Sequence, residues 1–461
     1  MQSMFTGLSR LWKSEDIRRK LLITLGLLAL YRIASNVPVP GVNFQVLSAF
    51  HQSSSAGGNF LNFLDLLSGG TVSNFSLLSM GVYPYITAQI ILQLLIPIIP
   101  SLQRKMEEDP REGQQWMERW TYFLSVPMAV LSAIGQINIF NSLSIQALNQ
   151  PILDFGFTST LWLPSATILF VMTAGTMFAI WLGELISEYG IRGQGLSLVI
   201  FAGIVARMPF NFARLLSDQS TRVFMIIFTA IVLIATVYAI VYVQQGRRNV
   251  PVMYPGRRMG NRMSMPVKGT LPLMVNLAGM IPLIFASAIL QFPAIMASYF
   301  TRSSNAGVAS FFTSVQNFFG GTGTNNWGYW LLYFFMVVIF TFFYTSVLFD
   351  QQNYGENLKR VGATIPGVHT GPPTQKYLSR VQRRITLPGA LFLGLVAIMP
   401  FLLTLLLQVI GISSATVSSS SGLFLVSSAG LLIVVGVVRD VFMNIDAELK
   451  LHGYQDSLLV R

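Results

Sequence analysis

The sequence predicts an all-α polytopic membrane protein of ten transmembrane helices. Three observations carry that reading. Hydrophobic residues fill 52% of the 461 positions, and Asp, Glu, Lys and Arg together fill only 10%, against about 25% charged residues in a soluble protein. The apolar residues gather in stretches close to the ~20 residues that a ~30 Å hydrocarbon core demands of a helix. The basic residues gather between those stretches, and mostly in every second connection.

The ten stretches are Leu21–Val39, Phe75–Ile99, Trp120–Phe140, Leu161–Leu182, Leu196–Phe210, Val223–Val243, Leu271–Phe292, Trp330–Phe349, Leu387–Ile410 and Leu423–Val438. The fifth is short and ends near Pro209; the seventh contains Pro272, Gly279, Pro282 and Pro293. Place the N-terminus in the cytoplasm. The two tails and the connections after spans two, four, six and eight then hold 25 of the 30 Lys and Arg residues, leaving Arg32, Arg207, Arg214, Arg222 and Arg302. Basic charge in short loops marks the cytoplasmic side, so both termini are expected there. The basic N-terminus enters the first apolar stretch with no small-residue cleavage site, and that stretch is expected to stay as a membrane helix.

Ten spans divide into two fives, and an odd number turns the second half over relative to the first. That is compatible with inverted halves and a functional centre between them. The expected organisation is a cytoplasmic tail at 1–20, an N-terminal half at 21–214, a C-terminal half at 215–443 and a cytoplasmic tail at 444–461. Two long basic loops, 244–270 and 350–386, project into the cytoplasm.

Enzyme equipment is missing. There are no cysteines, which removes disulfides, thiol catalysis and Cys-ligated zinc. His51, His369 and His452 are far apart in sequence, and no metal-ligand spacing appears. No GxxxxGK[ST] loop, GxSxG elbow or carboxylate pair on a helix face is present. No metal, cofactor or catalytic residue is therefore expected, and the energy for any transport should come from a partner. Gly190, Gly193 and Gly195 in YGIRGQG read as a flexible turn between spans four and five. Charge inside the spans is nearly absent: Arg32 and Glu184 lie near span ends, and Arg439 and Asp440 are placed to pair at the end of span ten. A solute transporter with inverted repeats is the rival reading, but it needs ionisable or polar binding groups at depth.

One segment, GGNFLNFLDLLSGG, is too short to span. Phe60, Phe63, Leu64 and Leu67 share a helical face, with Leu61 and Asp65 between them. Nine residues give ~13 Å of helix. Glycines bracket the segment on both sides. It reads either as a half-helix entering from outside or as an interfacial helix, and spacing alone leaves both open.

Five strings in order, YRIASNVPVPG at 31–41, SGGTVSNFSLLSMGVYPYITAQIILQLL at 68–95, GELISEYGIRGQGLSLVIFAGI at 183–204, LPLMVNLAGMIPLIFASAI at 271–289 and SGLFLVSSAGLLIVVGVVRD at 421–440, make the chain resemble the SecY family over nearly its whole length. The resemblance implies a clamshell of two inverted five-helix halves around an hourglass pore. Such a pore moves unfolded secretory polypeptides across the bacterial plasma membrane and releases membrane segments sideways. It implies an aliphatic ring at the waist formed by Val82, Ile86, Leu196, Ile200, Ile284 and Ile433. Residues 82 and 86, and 196 and 200, have the i,i+4 spacing of one helix face. A dry aliphatic constriction blocks ions by dewetting and can part around a peptide; the competing reading is ordinary core packing. The segment at about 57–70 would be a plug.

Spans two and seven would line a lateral gate with a polar cluster of Thr87, Asn276 and a third member. The family usually has a glutamine in span three for that member; here Ser132 aligns with it, and Gln136 follows one turn later. The basic loops would dock the ribosome and the SecA motor through Arg247, Arg248, Arg257, Arg258, Arg262, Lys359, Arg360 and their neighbours, by charge rather than base reading. The competing reading is the positive-inside rule alone. His369 stands where the family usually has Arg, and imidazole offers fewer donors and no fixed charge. SecE-like and SecG-like subunits, SecA or ribosomal RNA, and secretory signal peptides are the partners the resemblance implies.

Overall fold

The computed structural model describes residues 15–43, 45–47, 75–108, 110–148, 150–156, 161–217, 222–255, 258–259, 262–263, 267–300, 306–319, 326–409 and 430–447. The glycine-bracketed segment at 57–70, Arg257, and the string from 421 to 429 lie outside these. Among the described residues the protein is mostly helical. The helices are α1 Glu15–Ala34, α2 Tyr83–Ile98, α3 Pro100–Glu108, α4 Pro110–Leu148, α5 Trp162–Tyr189, α6 Gly195–Ser217 and α7 Arg222–Gln245 in the first part. A hairpin of β1 Arg247–Tyr254 and β4 Val267–Met274 follows, with the two-residue strands β2 Arg258–Met259 and β3 Arg262–Met263 between them. Then come α8 Ile281–Phe300, α9 Ala306–Phe319, α10 Trp327–Gln351, α11 Tyr354–Val361 and α12 Pro372–Val409, and a last helix, α13, at 430–447.

Among the described residues, five helical stretches are long and apolar enough to cross a membrane: Arg111–Asn141, Trp162–Tyr189, Ile226–Gln245, Trp327–Val361 and Pro372–Leu403. Tyr83–Ile96, Gly195–Ala206 and Ile281–Ala294 are shorter apolar helices.

Several expected boundaries move, and proline and glycine account for most of the shifts. Span seven was expected from Leu271, but Leu271–Met274 is strand, with Pro272 opposite Asn249. The chain then turns through Gly279 at φ +63°, and helix starts only at Ile281, where Pro282 occupies the first turn that tolerates it. Span two was expected from Phe75. Instead residues 75–82 form turns with Phe75 and Gly81 at positive φ, and Pro84 opens the helix. Span one ends at Ala34, five residues early, ahead of Pro38 and Pro40. There the Ser35 hydroxyl and the Asn36 amide both donate to the Arg32 carbonyl. Span five runs through Pro209 to Ser217 instead of stopping there.

The loops differ from expectation too. Residues 244–270 are largely a hairpin, and 372–386 extend span nine as helix at its N-terminal end. Helices α3, α9 and α11 were not anticipated.

The apolar core falls into separate clusters. One joins α1, α5 and α6 and reaches Ile433 and Val437 of α13. A second packs the ends of α4 and α5 with Val39, Val42, Val46, Leu47 and Phe75. A third belongs to α8, α10, α12 and α13. The fourth is built entirely from the two basic loops and their flanks, with Val250 and Val252 of β1 against Ala363, Ile365, Leu378 and Val381. Met253 and Thr364 exchange backbone hydrogen bonds of 2.8 Å in each direction. The loops are therefore one body with a common core.

Candidate functional site

Five of the six candidate ring residues meet in one cluster. Val82, Ile200 and Ile433 are buried there, and Ile86 and Leu196 pack against them. Val82 is the N-cap of α2, and the Ile86 amide donates to its carbonyl at 3.1 Å. The two side chains thus stack in the first helical turn. Leu196 and Ile200 do the same at the start of α6. Ile284 is buried in the first turn of α8 but outside this cluster. Met280, four residues before it, makes the contact from that strand-to-helix turn. The residues come from both halves of the chain, and none carries a charge. Burial of such side chains is worth roughly 1.5–3 kcal/mol each, so the contact is held shut by dispersion and water exclusion rather than by polar bonds.

The tightness of the neighbouring contact comes from glycine. A Cβ on Gly195 would sit 1.7 Å from the Gly183 carbonyl oxygen, and one on Gly183 would sit 2.7 Å from Leu196 Cδ2. The Gly195 amide donates to Ser187 Oγ at 3.0 Å. Gly195 and Gly183 thus bring α5 and α6 into backbone contact. Of the three glycines in YGIRGQG, Gly193 alone meets the expectation of a turn residue, with φ +71° and open space around it.

Across the expected gate, α2 and the start of α8 touch through apolar side chains: Tyr83, Ile90, Ala278, Phe285, Ala288 and Tyr344, with Ile86 and Ile281 against them. Thr87, Ser132, Gln136 and Asn276 are all buried. Their bonds do not cross the seam. Thr87 Oγ1 donates to the Pro84 carbonyl at 2.9 Å, and Asn276 Nδ2 donates to the Gly279 carbonyl at 3.1 Å. Asn276 Oδ1 and both amide atoms of Gln136 are buried without a hydrogen-bond partner. Asn276 lies in the turn before α8, not on a helix face.

The loop cations face outward. Arg247, Arg248, Lys359, Arg360 and His369 are exposed. A groove of about 930 Å³ between α11 and the outer end of α12 is lined by Lys359, Lys376, Arg380, Arg383 and Arg384, with Glu356 the only acid among its lining residues. Arg258 and Arg262 lie on the short inner strands of the hairpin. The expected pair of Arg439 with Asp440 forms at 2.9 Å, and Arg439 Nη1 also donates to the Gln244 carbonyl at the end of α7. That carbonyl lies at a helix C-terminus, where a cation is favoured.

The sequence pattern of the SecY family matches residues 76–442. The chain is 35% identical to the protein translocase subunit SecY of Mycobacterium tuberculosis over 452 residues, covering 97% of this chain and 98% of that one. This chain belongs to the SecY family. The SecY of Mycobacterium leprae is 36% identical over 454 residues, covering 97% of this chain and 98% of its own, and that of Streptomyces scabiei is 33% identical over 462, covering 99% and 100%. A solved structure described as "The structure of a protein conducting channel" shares the fold at TM-score 0.57 and 18% identity, over 92% of each chain. SecY proteins are membrane-embedded channel subunits and not enzymes.

Two functional features escaped the sequence reading. The shared core of the loops had a signal, because Val250 and Val252 alternate as a half-buried strand should, but the loop was read for charge alone. The Gly183–Gly195 contact had none, since two glycines 12 positions apart do not announce that they touch.

Proposed function

We propose that this chain is the pore subunit of a protein-conducting channel in the bacterial plasma membrane. Its ten spans form two inverted five-helix halves closed around an hourglass pore. The convergence of Val82, Ile86, Leu196, Ile200 and Ile433 from both halves into one uncharged cluster carries this reading. Such a waist blocks ions when closed and parts around a peptide. Ile284 completes the ring when α8 turns about its Gly279 entry. Phe60, Leu61, Phe63, Leu64, Asp65 and Leu67 form the plug.

The seam between α2 and α8 is the lateral gate. Ser132 stands in the place of the third polar residue, with Gln136 one turn after it. The orphaned amides of Gln136 and Asn276 make the closed seam costly enough for a hydrophobic signal helix to open it. Both termini lie in the cytoplasm. Packing of Ile17 in α1 against Ile445 in α13 supports a common face for the two ends. The 3.3 Å bond from Asn444 to the Arg192 carbonyl brings the connection after span four to that same face.

The basic platform docks SecA or ribosomal RNA. SecE-like and SecG-like subunits complete the translocase. Translocation is passive in this chain and driven from outside. Among the described residues no polar binding site at mid-membrane favours the solute-transporter reading.

Reconstitution tests the proposal. The chain and a SecE-type subunit go into liposomes with SecA, ATP and a secretory precursor. Signal-dependent protection of the precursor from protease is the expected result. Folded protein that neither binds SecA nor protects precursor would overturn it.

A further inference from the structure

Helix α9 joins the outer ends of α8 and α10, on the face away from the basic platform. Its 14 residues, AGVASFFTSVQNFF, contain no charge. At 1.5 Å per residue it is about 21 Å long, too short for a ~30 Å core. Its circumference divides into three sectors. One is held by protein: Phe312 stacks on Phe300 of α8 at 4.7 Å, and Phe319 packs on the α8–α10–α12 cluster. A second is polar and exposed, with Ser310, Ser314 and Asn317. The third is apolar and exposed, led by Phe311 at 63% and by Val308 and Phe318, which recur at i, i+3 and i+10.

The helix is pinned at its C-terminal end. Asn326 Nδ2 donates to the Phe318 carbonyl at 2.8 Å and to the Asn317 carbonyl at 3.3 Å, capping the C-terminus. Phe318 leans on Gly328, where a Cβ would lie 2.9 Å from its ring. The two flanking elements end in exposed aromatics, Phe300 and Trp327, the residue types that mark a membrane–water interface.

We infer that α9 lies in the bilayer interface opposite the basic platform, with Val308, Phe311 and Phe318 inserted among the lipid chains, and that it tethers the outer end of α8 to that leaflet. The occupant is lipid because the apolar sector continues the aromatic ends of two membrane helices and borders a water-facing polar sector. The absence of charge means the attraction is apolar area alone, so it does not depend on anionic headgroups. The inference rests on the membrane crossing of α8 and α10 and on nothing about the pore.

The chain has no cysteine, so single spin labels can be placed by Phe311→Cys, Val308→Cys and Asn317→Cys in the full chain. Each complex is reconstituted into vesicles of phosphatidylcholine alone and of phosphatidylcholine with phosphatidylglycerol. The ratio of collisions with oxygen to collisions with a water-soluble nickel chelate reads depth. At 308 and 311 it should exceed that at 317, which lies roughly 120–180° round the helix from them, by at least about threefold, and equally in both lipids. Labels at 311 and 308 that meet nickel freely place the sector in water and overturn the inference. Labels there that meet neither reagent place it under protein, a second copy or another subunit, and also overturn it. Phe335→Cys, on the exposed side of α10, separates the two failures. A label there that does not read deep lipid would sink the membrane crossing itself.

Discussion

The seam between α5 and α6 and the seam between α2 and α8 solve opposite problems. At the first, glycines let backbone meet backbone: Gly195 abuts the Gly183 carbonyl, and Ser187 accepts the Gly195 amide. Gly175 similarly abuts the Leu77 carbonyl. No side chain there can be rearranged to give room. At the second, the contact is side chain on side chain; Asn276 Oδ1, in the turn before α8, is buried without a partner, as are both amide atoms of Gln136 on α4. An unsatisfied buried polar group costs about 1–3 kcal/mol. The first seam is therefore a fixed joint. As the proposed gate, the second is closed by a margin that a competing apolar helix can match. A channel that opens sideways needs both, because a gate works only against a rigid frame.

The largest expected effect is at the fixed joint. Gly195→Val should destabilise the protein by about 3 kcal/mol or more through overpacking, lowering the midpoint of thermal unfolding of the purified complex. Gly26→Ala, with nothing within 4 Å of the added carbon, should leave it unchanged. Equal shifts in the two would mean the joint is not tight.

Next in size is the ring. Ile433→Asn puts an amide into the apolar cluster, where an unpaired polar group costs about 1–3 kcal/mol. Export of a reporter with a crippled signal sequence should rise roughly tenfold, as ~1.4 kcal/mol of lost closure allows. No gain in export would remove Ile433 from the seal.

At the gate the sign reverses. Gln136→Leu combined with Asn276→Leu deletes the orphaned groups and should stabilise the closed seam by about 1 kcal/mol. Weak signal sequences should then export several-fold more slowly, while strong ones are little affected. Faster export would show that these amides hold the gate shut.

The smallest effect on either seam should come from the platform, which has its own core. Arg380→Glu with Arg383→Glu, and separately Arg257→Glu with Arg258→Glu, should weaken SecA or ribosome binding several-fold at low salt. The difference should shrink as salt screens the charges. Unchanged affinity would reduce these residues to a topology signal, and a lowered unfolding midpoint would show that the platform and seams are coupled.

How far the sequence could be read differs by feature. The Arg439–Asp440 pair was legible because its members are adjacent and lie at a span end. The helical segments α4, α5, α7, α10 and α12 were legible because hydropathy is summed along consecutive residues. The start of span seven was misread because Leu271–Met274 is as apolar as any helix, and only pairing with Arg247–Val250 makes it strand. Helix α9 was missed because its apolar face is short and interrupted by serine.

The sequence by itself determined the solvent and the family, because transfer free energy is a local quantity and because motifs keep their order. Tertiary structure alone decided which aliphatic side chains meet, that two basic loops share a core, and which buried amides go unpaired. Those outcomes depend on contacts between residues up to hundreds of positions apart, and no local sum of hydropathy or charge contains them.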